Sequence, residues 1–572
     1  MIQGILLLLF SMFTFSCVDS PIKYYPPRHS QPQPAKKSSP LQPGPVVSSK
    51  EISTSVPSIV ANPSVLATPA QGLPSTVATV SVQQKTLLAA VKNPLTSKAK
   101  MAELIEAEKS ITDLDKAISE STSYAQSQPY RPQLLFKAGE LAQRAHKPDL
   151  ALQYYRSLVS QFPQSGLAAK ANSEMLLIQA SEDTDSKVIG AILPLTGKNA
   201  NIGQHALNSL RLGLGLNKPD ARQRLAIFDS QGSAELAKAG VEKLVREDKV
   251  IAIIGGLSSK EALAAGQKSD RLGVPFIGLS QKSGLTSVGD YVFRNSLTAE
   301  MQVDRLVSYA FEKLGAKRFA VLYPNDAYGV EFANIYWDHV LARGGQITAA
   351  QTYDSKENDF TIPIQKLVGT FFPEGRAEEY QERLEELALE KKEKSEKNKN
   401  KVASRAHDVQ ENILPPRVDF DVLFIPDTGK SLGQVMAFLK VSAVTKMIYL
   451  GTNIWNSPDL AKRAGTHANG VYFVDALDMN DPSARETSFF KDYVSSFSEE
   501  PGLIEMQVFE SAKIVRGLLS EGASSRESLA SNLRSLGRTD GITGQLRMSS
   551  QRELERPLHI LSLDAGQIKK IE

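Results

Sequence analysis

An α/β fold with parallel strands, preceded by a small all-α region, is the class this sequence predicts, and three observations carry it. From Lys187 onward, short apolar runs alternate with amphipathic helical stretches, the texture of a sheet whose strands are joined by helical crossovers. Residues 85–181 have helical periodicity alone, and residues 18–84 have neither period. The chain of 572 residues exceeds what one core can organise, so separate folded units joined by linkers are expected.

The elements follow in order. Residues 5–15 form an apolar run, shorter than the roughly 20 residues a spanning helix needs, and it ends at Ser16-Cys17. This is the core of a secretory leader. Cys17 is the one cysteine in the sequence, so it has no partner for an internal disulfide or a metal site. Thr14-Phe15-Ser16-Cys17 resembles a lipobox, in which a small residue admits the signal peptidase and the thiol takes a diacylglyceryl group. It departs from that pattern at Thr14, where leucine is usual, and in lacking Lys or Arg ahead of the apolar run. The resemblance implies a leader over 1–17, a lipid anchor at Cys17 and a bacterial envelope location facing the periplasm. The plainer alternative is a buried thiol in an N-terminal helix.

Residues 18–84 are rich in Pro, Ser, Gln, Thr and Val, with Pro26-Pro27, Pro40, Pro43 and Pro45 breaking any helix, and they read as a disordered tether. At about 3 Å per residue, such a chain reaches on the order of 100 Å. Within 85–181 the small and aromatic positions Gly139, Ala151, Tyr155 and Pro163 have the spacing of a tetratricopeptide repeat. A plain helical hairpin is the competing reading.

In the α/β part, strands are expected at 188–193, 225–229, 251–254, 275–279, 319–323, 346–353, 422–425 and 447–450, with helices at 206–216 and 234–247. A stretch loaded with Glu, Lys, Arg and Gln over 374–411 interrupts the rhythm. Glu390 with Lys394 and Glu393 with Lys397 stand at helix-stabilising spacing. It reads as an inserted solvated helix or a disordered loop.

Val188-Ile189-Gly190-Ala191-Ile192-Leu193-Pro194-Leu195-Thr196-Gly197, then Ile253-Ile254-Gly255-Gly256-Leu257-Ser258-Ser259, Gly273-Val274-Pro275-Phe276-Ile277 and Val321-Leu322-Tyr323-Pro324-Asn325-Asp326-Ala327-Tyr328-Gly329 are similar to segments of one family. It is the leucine/isoleucine/valine-binding family of type I periplasmic binding proteins, matched in the same order over 187–572. The resemblance implies two Rossmann-like lobes facing across a cleft. Lobe 1 would hold about 187–300 and 475–545, lobe 2 about 301–474 and 556–572. Ligand groups would lie on the loops at the strands' C-terminal ends. Gly255 and Gly256 would let backbone amides approach an anion at a helix start. Ser259, Ser280, Gln281 and Ser283 would bind from lobe 1, and Tyr328, Thr428 and Asn453 from lobe 2. Each has a plainer role available: Ser259 as a helix cap, Tyr328 as hinge packing. Asn453 stands where the amino-acid binders of the family place an acid, and Asp427 is a candidate to supply the missing charge.

A small polar solute, amino-acid-like, is therefore the expected partner, with no cofactor and no catalysis, for a receptor that serves an ABC permease or a sensor. The strand at 418–426 and the domain order also resemble penicillin-binding protein activator lipoproteins, which would make a peptidoglycan synthase the partner instead. The evenly mixed charge, +3 in total, offers no field for nucleic acid. The sequence has no H-E-x-x-H, G-x-S-x-G, Walker or G-x-G-x-x-G motif, and its seven histidines show no metal spacing.

Overall fold

The computed structural model describes residues 22–25, 87–93, 96–124, 129–281, 283–356, 358–397, 414–444, 446–457, 459–464, 470–478, 481–564 and 566–572. The chain divides into two bodies, residues 26–176 and residues 1–25 together with 177–572. Cys17, and with it the anchor expectation, lies outside the described residues.

The first body is helical: α1 (Lys98–Ala107), α2 (Ile111–Ser121), α3 (Arg131–Arg144) and α4 (Pro148–Gln161), followed by α5 (Gly166–Ser181), within which the two bodies divide. Ser97 and Ser110 cap α1 and α2 by accepting from the Lys100 and Asp113 amides at 3.2 and 3.3 Å. Proline in the first turn of α3 and of α4 costs no intrahelical bond there. These two helices cross closely because Gly139 has no side chain: a Cβ there would stand 2.4 Å from the Tyr155 ring. Tyr155 is fully buried, and its hydroxyl donates to Gln143 Oε1 at 3.0 Å.

The second body is built on two main sheets. One has the order β1-β3-β2-β4-β5-β6, all parallel: β1 (Ile22–Tyr25), β2 (Asp185–Leu193), β3 (Arg224–Asp229), β4 (Val250–Gly255), β5 (Phe276–Gly278) and β6 (Val292–Arg294). Its crossovers are α6 (Ala200–Leu214), α7 (Ala234–Arg246) and α8 (Ser259–Arg271). Strands such as β4 are buried on both faces, which is why they read as continuous apolar runs without alternation. β1 corrects the tether reading at four residues. Ile22 to Tyr25 pair with Leu225 to Phe228, filling the edge that β3 would otherwise leave with unpaired backbone groups.

The other sheet has the order β16-β15-β11-β10-β9-β7-β8. After α9 (Ala299–Glu312) come β7 (Arg318–Pro324), α10 (Ala327–Ala342), β8 (Gln346–Tyr353) and α11 (Thr361–Leu367). α12 (Ala377–Lys397) is the charged insertion, helical as far as it is described. Then follow β9 (Val422–Phe424), α13 (Gly429–Val441), β10 (Ile448–Gly451), α14 (Asp459–Ala464) and β11 (Val471–Asp475). The chain then returns through α15 (Pro482–Glu486) and α16 (Ser488–Phe497) to α17 (Leu503–Ser520), where Val508, Ala512 and Val515 share the first sheet's core with Ala206 and Leu210 of α6. α18 (Arg526–Arg534) and a small antiparallel sheet, β12 (Thr539–Asp540), β13 (Gln545–Met548) and β14 (Leu554–Glu555), stay on that side. Finally β15 (His559–Asp564) and β16 (Gln567–Lys570) run antiparallel into the second sheet beside β11. Each sheet with its helices is a lobe, and the chain passes between the lobes three times, after β6, β11 and β14.

Candidate functional site

The cleft between the lobes is a large concavity, with a volume of roughly 1730 Å³. It lies at the C-terminal ends of the parallel strands, where crossover loops gather in open α/β sheets. From lobe 1 it is lined by Ser259, Ser280 and Gln281, and from lobe 2 by Tyr328 and Asn453. These are five of the seven ligand positions that the sequence resemblance implies. They converge from opposite sheets, Ser259 following β4 and Tyr328 following β7.

The lobe 1 wall is a serine loop. Ser258, not Ser259, is the cap of α8: its hydroxyl accepts from the Glu261 amide at 3.4 Å while Glu261 accepts from the Ser258 amide at 3.1 Å. Ser259 is thereby left exposed on the first turn and open to the cleft. Gly255 and Gly256 pack closely against β2. The Gly256 amide donates to the Ile192 carbonyl at 3.0 Å, and a Cβ on Gly255 would lie 2.1 Å from that same oxygen.

The lobe 2 wall is aromatic. Tyr328 stands on the first turn of α10, which Asp326 caps by accepting from the Gly329 amide at 2.9 Å. Its ring lies 4.5 Å from Phe332, its hydroxyl donates to Thr452 Oγ1 at 2.9 Å, and burial pushes its ionisation well above the usual tyrosine range. The Asn453 amide is held by Gln302 Oε1 at 3.0 Å, which presents the Asn453 side chain at the cleft.

Two expected contacts are not in the cleft. Thr428 is the exposed cap of α13, its hydroxyl spent on the Ser431 amide at 3.5 Å. Ser283 lies beside a neighbouring hollow with Asn325 and Asp326, and its amide crosses to lobe 2 to donate to Glu331 at 3.3 Å. Nor is Asp427 a replacement charge. Tyr353 donates its hydroxyl to the Asp427 carboxylate at 2.6 Å, and Trp455 Nε1 donates to the Asp427 carbonyl at 2.6 Å, fixing it inside lobe 2.

The passages between lobes hold a buried polar cluster that no sequence signal marked. Arg556 pairs with Glu510 at 2.9 Å, both wholly buried, and donates to the Asn295 carbonyl oxygen of its side chain. Asn295 Nδ2 in turn reaches the Gln507 carbonyl at 2.8 Å. Arg294 pairs with Glu553 at 2.5 Å. Asp475, at the end of β11 and lining the cleft, accepts from Asn456 Nδ2 at 2.8 Å and from the Ala476 amide at 2.6 Å. Burial pushes its carboxyl up to about 7, against the hydrogen bonds and the nearby Arg556 that favour the charged form.

Comparison with known proteins bears on the two-lobed body. Residues 188–369 match the model of the periplasmic binding protein family. The two-lobed body is a type I periplasmic binding protein fold. Similar proteins include Leu/Ile/Val-binding protein homolog 8 of Brucella abortus, 25% identical over 192 residues, which are 31% of this chain and 48% of that protein. An amino acid binding protein of Pseudomonas aeruginosa is 25% identical over 215 residues, 36% of this chain and 56% of that one. The chain thus spans about half the length of the curated relatives it matches. Among solved structures, a Rhodospirillum rubrum chain described as a branched-chain amino acid ABC transporter superposes with a TM-score of 0.53 at 18% identity, covering 67% of this chain and 99% of that one. An ABC transporter substrate-binding protein of Sphaerobacter thermophilus gives 0.51 at 19% identity, covering 67% and 96%. The family lives in the periplasm or cell envelope. Among the described residues, no helix is long and apolar enough to cross a membrane.

Proposed function

We propose that this periplasmic binding protein binds a small, polar, amino-acid-like solute between its lobes and acts as a receptor that delivers or reports it to an envelope transporter. The observation that carries the reading is the single cleft lined by hydroxyl and amide groups from one lobe and by an aromatic wall from the other. That pairing suits a molecule with a polar head and an apolar side. The names of the Brucella and Pseudomonas relatives point to amino acids for those proteins and support the same class here.

The test is a thermal-shift series on the purified chain across a broad solute panel, with native mass spectrometry for a co-purified molecule. A ligand at 100 times its Kd stabilises the folded state by about 2.7 kcal/mol. A clear rise in melting temperature with amino acids or close analogues is the expected result. A flat panel and no retained molecule would overturn the solute-receptor reading.

A further inference from the structure

Two buried polar atoms belong to residues of the cleft wall and stand without a partner. Among the described residues lining the cleft, Gln507 Nε2 and Asn453 Oδ1 are buried and have no hydrogen-bond partner. One is a donor on lobe 1 and the other an acceptor on lobe 2. Buried polar groups are almost always paired, so an unpartnered atom on a residue that lines a cavity is a candidate ligand contact. Gln507 is 3% exposed and is held from behind. Its carbonyl accepts from Asn295 Nδ2 and from Ser511 Oγ, each at 2.8 Å, so α17 cannot turn the residue away without breaking the cluster between the lobes.

The neighbours do not fill the vacancy. Both oxygens of Asp475 are engaged, one by Asn456 and one by the Ala476 amide. Two of the cleft's cations are committed elsewhere, Arg485 to Glu500 at 3.0 Å and Lys569 to Asp564 at 2.7 Å. Lys570 and the Ser259 and Ser280 hydroxyls also line the cleft, and the Gln507 carboxamide adds a neutral donor to them.

We infer that Gln507 is a ligand-contacting, specificity-setting residue. Its Nε2 donates to a carboxylate or carbonyl oxygen of the solute, while Asn453 Oδ1 accepts from an amino group of the same molecule. The ligand class is a solute that carries an acceptor and a donor together, as an α-amino acid does, and it bridges the lobes through two carboxamides. The inference rests on the solute-binding reading above and adds a contact from α17, an element outside the strand-end loops.

The experiment uses the purified chain, calorimetry and thermal shift, with the twenty L-amino acids as probes. For the best binder, the decarboxylated amine and the deaminated acid are added. Wild type should prefer the parent amino acid to both derivatives by at least about tenfold, the scale of a polar site left half-filled. Gln507→Leu should lose about tenfold for the parent and little for the amine, and Asn453→Ala should lose for the parent and little for the deaminated acid. The unliganded melting temperature of Gln507→Leu should hold or rise, because a buried orphan donor has gone. If wild type binds an amino acid and Gln507→Leu binds it equally well, this assignment is wrong and the receptor reading stands. A Gln507→Leu protein that melts earlier with unchanged affinity would make the residue structural. If wild type binds none of the probes, the amino-acid-like ligand class falls, and the assignment with it.

Discussion

The two walls of the cleft are made differently. On lobe 2, Tyr328 is tied to Thr452 and packed on Phe332, and behind it Tyr353 and Trp455 converge on Asp427. Each of these polar atoms is spent inside the lobe, so this aromatic part of the wall has a fixed shape, while Asn453 Oδ1 beside it has no partner. On lobe 1, Ser259 stands exposed beside a cap that Ser258 has taken over, and Gln507 holds a donor without a partner. This wall is chemically incomplete. The contrast separates scaffold from recognition: a satisfied group reports on folding, an unsatisfied one on what the fold is for.

The buried cluster lies where the chain passes between the lobes, and the heaviest test falls there. Glu510→Ala leaves Arg556 as a wholly buried cation without its carboxylate, so stability should fall by about 3–5 kcal/mol in denaturant unfolding of the full chain. A loss under about 1 kcal/mol would mean that the cluster does not depend on this pair.

A second test reads the cluster through pH. The folded-state carboxyl of Asp475 titrates at about 7 against an ordinary 3.8, so the folded state holds a proton that the unfolded state has released between those values. Its contribution is fully present below about pH 4 and is lost as pH rises through about 7. Asp475→Asn should flatten that part of the stability profile, measured by unfolding at pH 4, 5, 6 and 7. An unaltered slope would assign the dependence to other groups.

The smallest effect tests the aromatic wall. Tyr328→Phe removes one hydroxyl from Thr452 and keeps the ring, so it should cost about 0.5–1.5 kcal/mol of stability. Solute affinity should remain within about twofold if the hydroxyl is scaffold, and calorimetry on the variant decides it. A large affinity loss would erase the distinction between the walls.

Much of the fold was legible because parallel strands buried on both faces leave unbroken apolar runs, as at 251–254, and because crossover helices show a second period. The short β6 and the strands β11, β15 and β16 carried too little pattern to be read. β1 was hidden in a Pro-rich stretch, since edge pairing depends on a partner far along the chain. Within the site, resemblance located Ser259, Ser280, Gln281, Tyr328 and Asn453, but which serine caps α8 depends on Glu261, three residues beyond Ser258. Thr428 and Ser283 fall outside the cleft lining, and a hydroxyl at a helix start or an exposed loop looks the same in sequence whether it faces a ligand or the backbone. Gln507, Asp475 and Arg556 gave no signal, because their significance is burial, which arises only when three distant passages of chain meet.

The antiparallel seam between β11 and β15 bears on how the protein is made. Val471 to Asp475 pair with residues 559–563, and all of the chain from α15 to β14 is synthesised between them. On an elongating chain, the second sheet must therefore wait with an open β11 flank while most of the first lobe's return segment emerges. Pairing over so long a separation is slow to form. During that interval the exposed strand edge is the place where a nascent chain is most open to mispairing with another, and the point at which a holding chaperone would matter most.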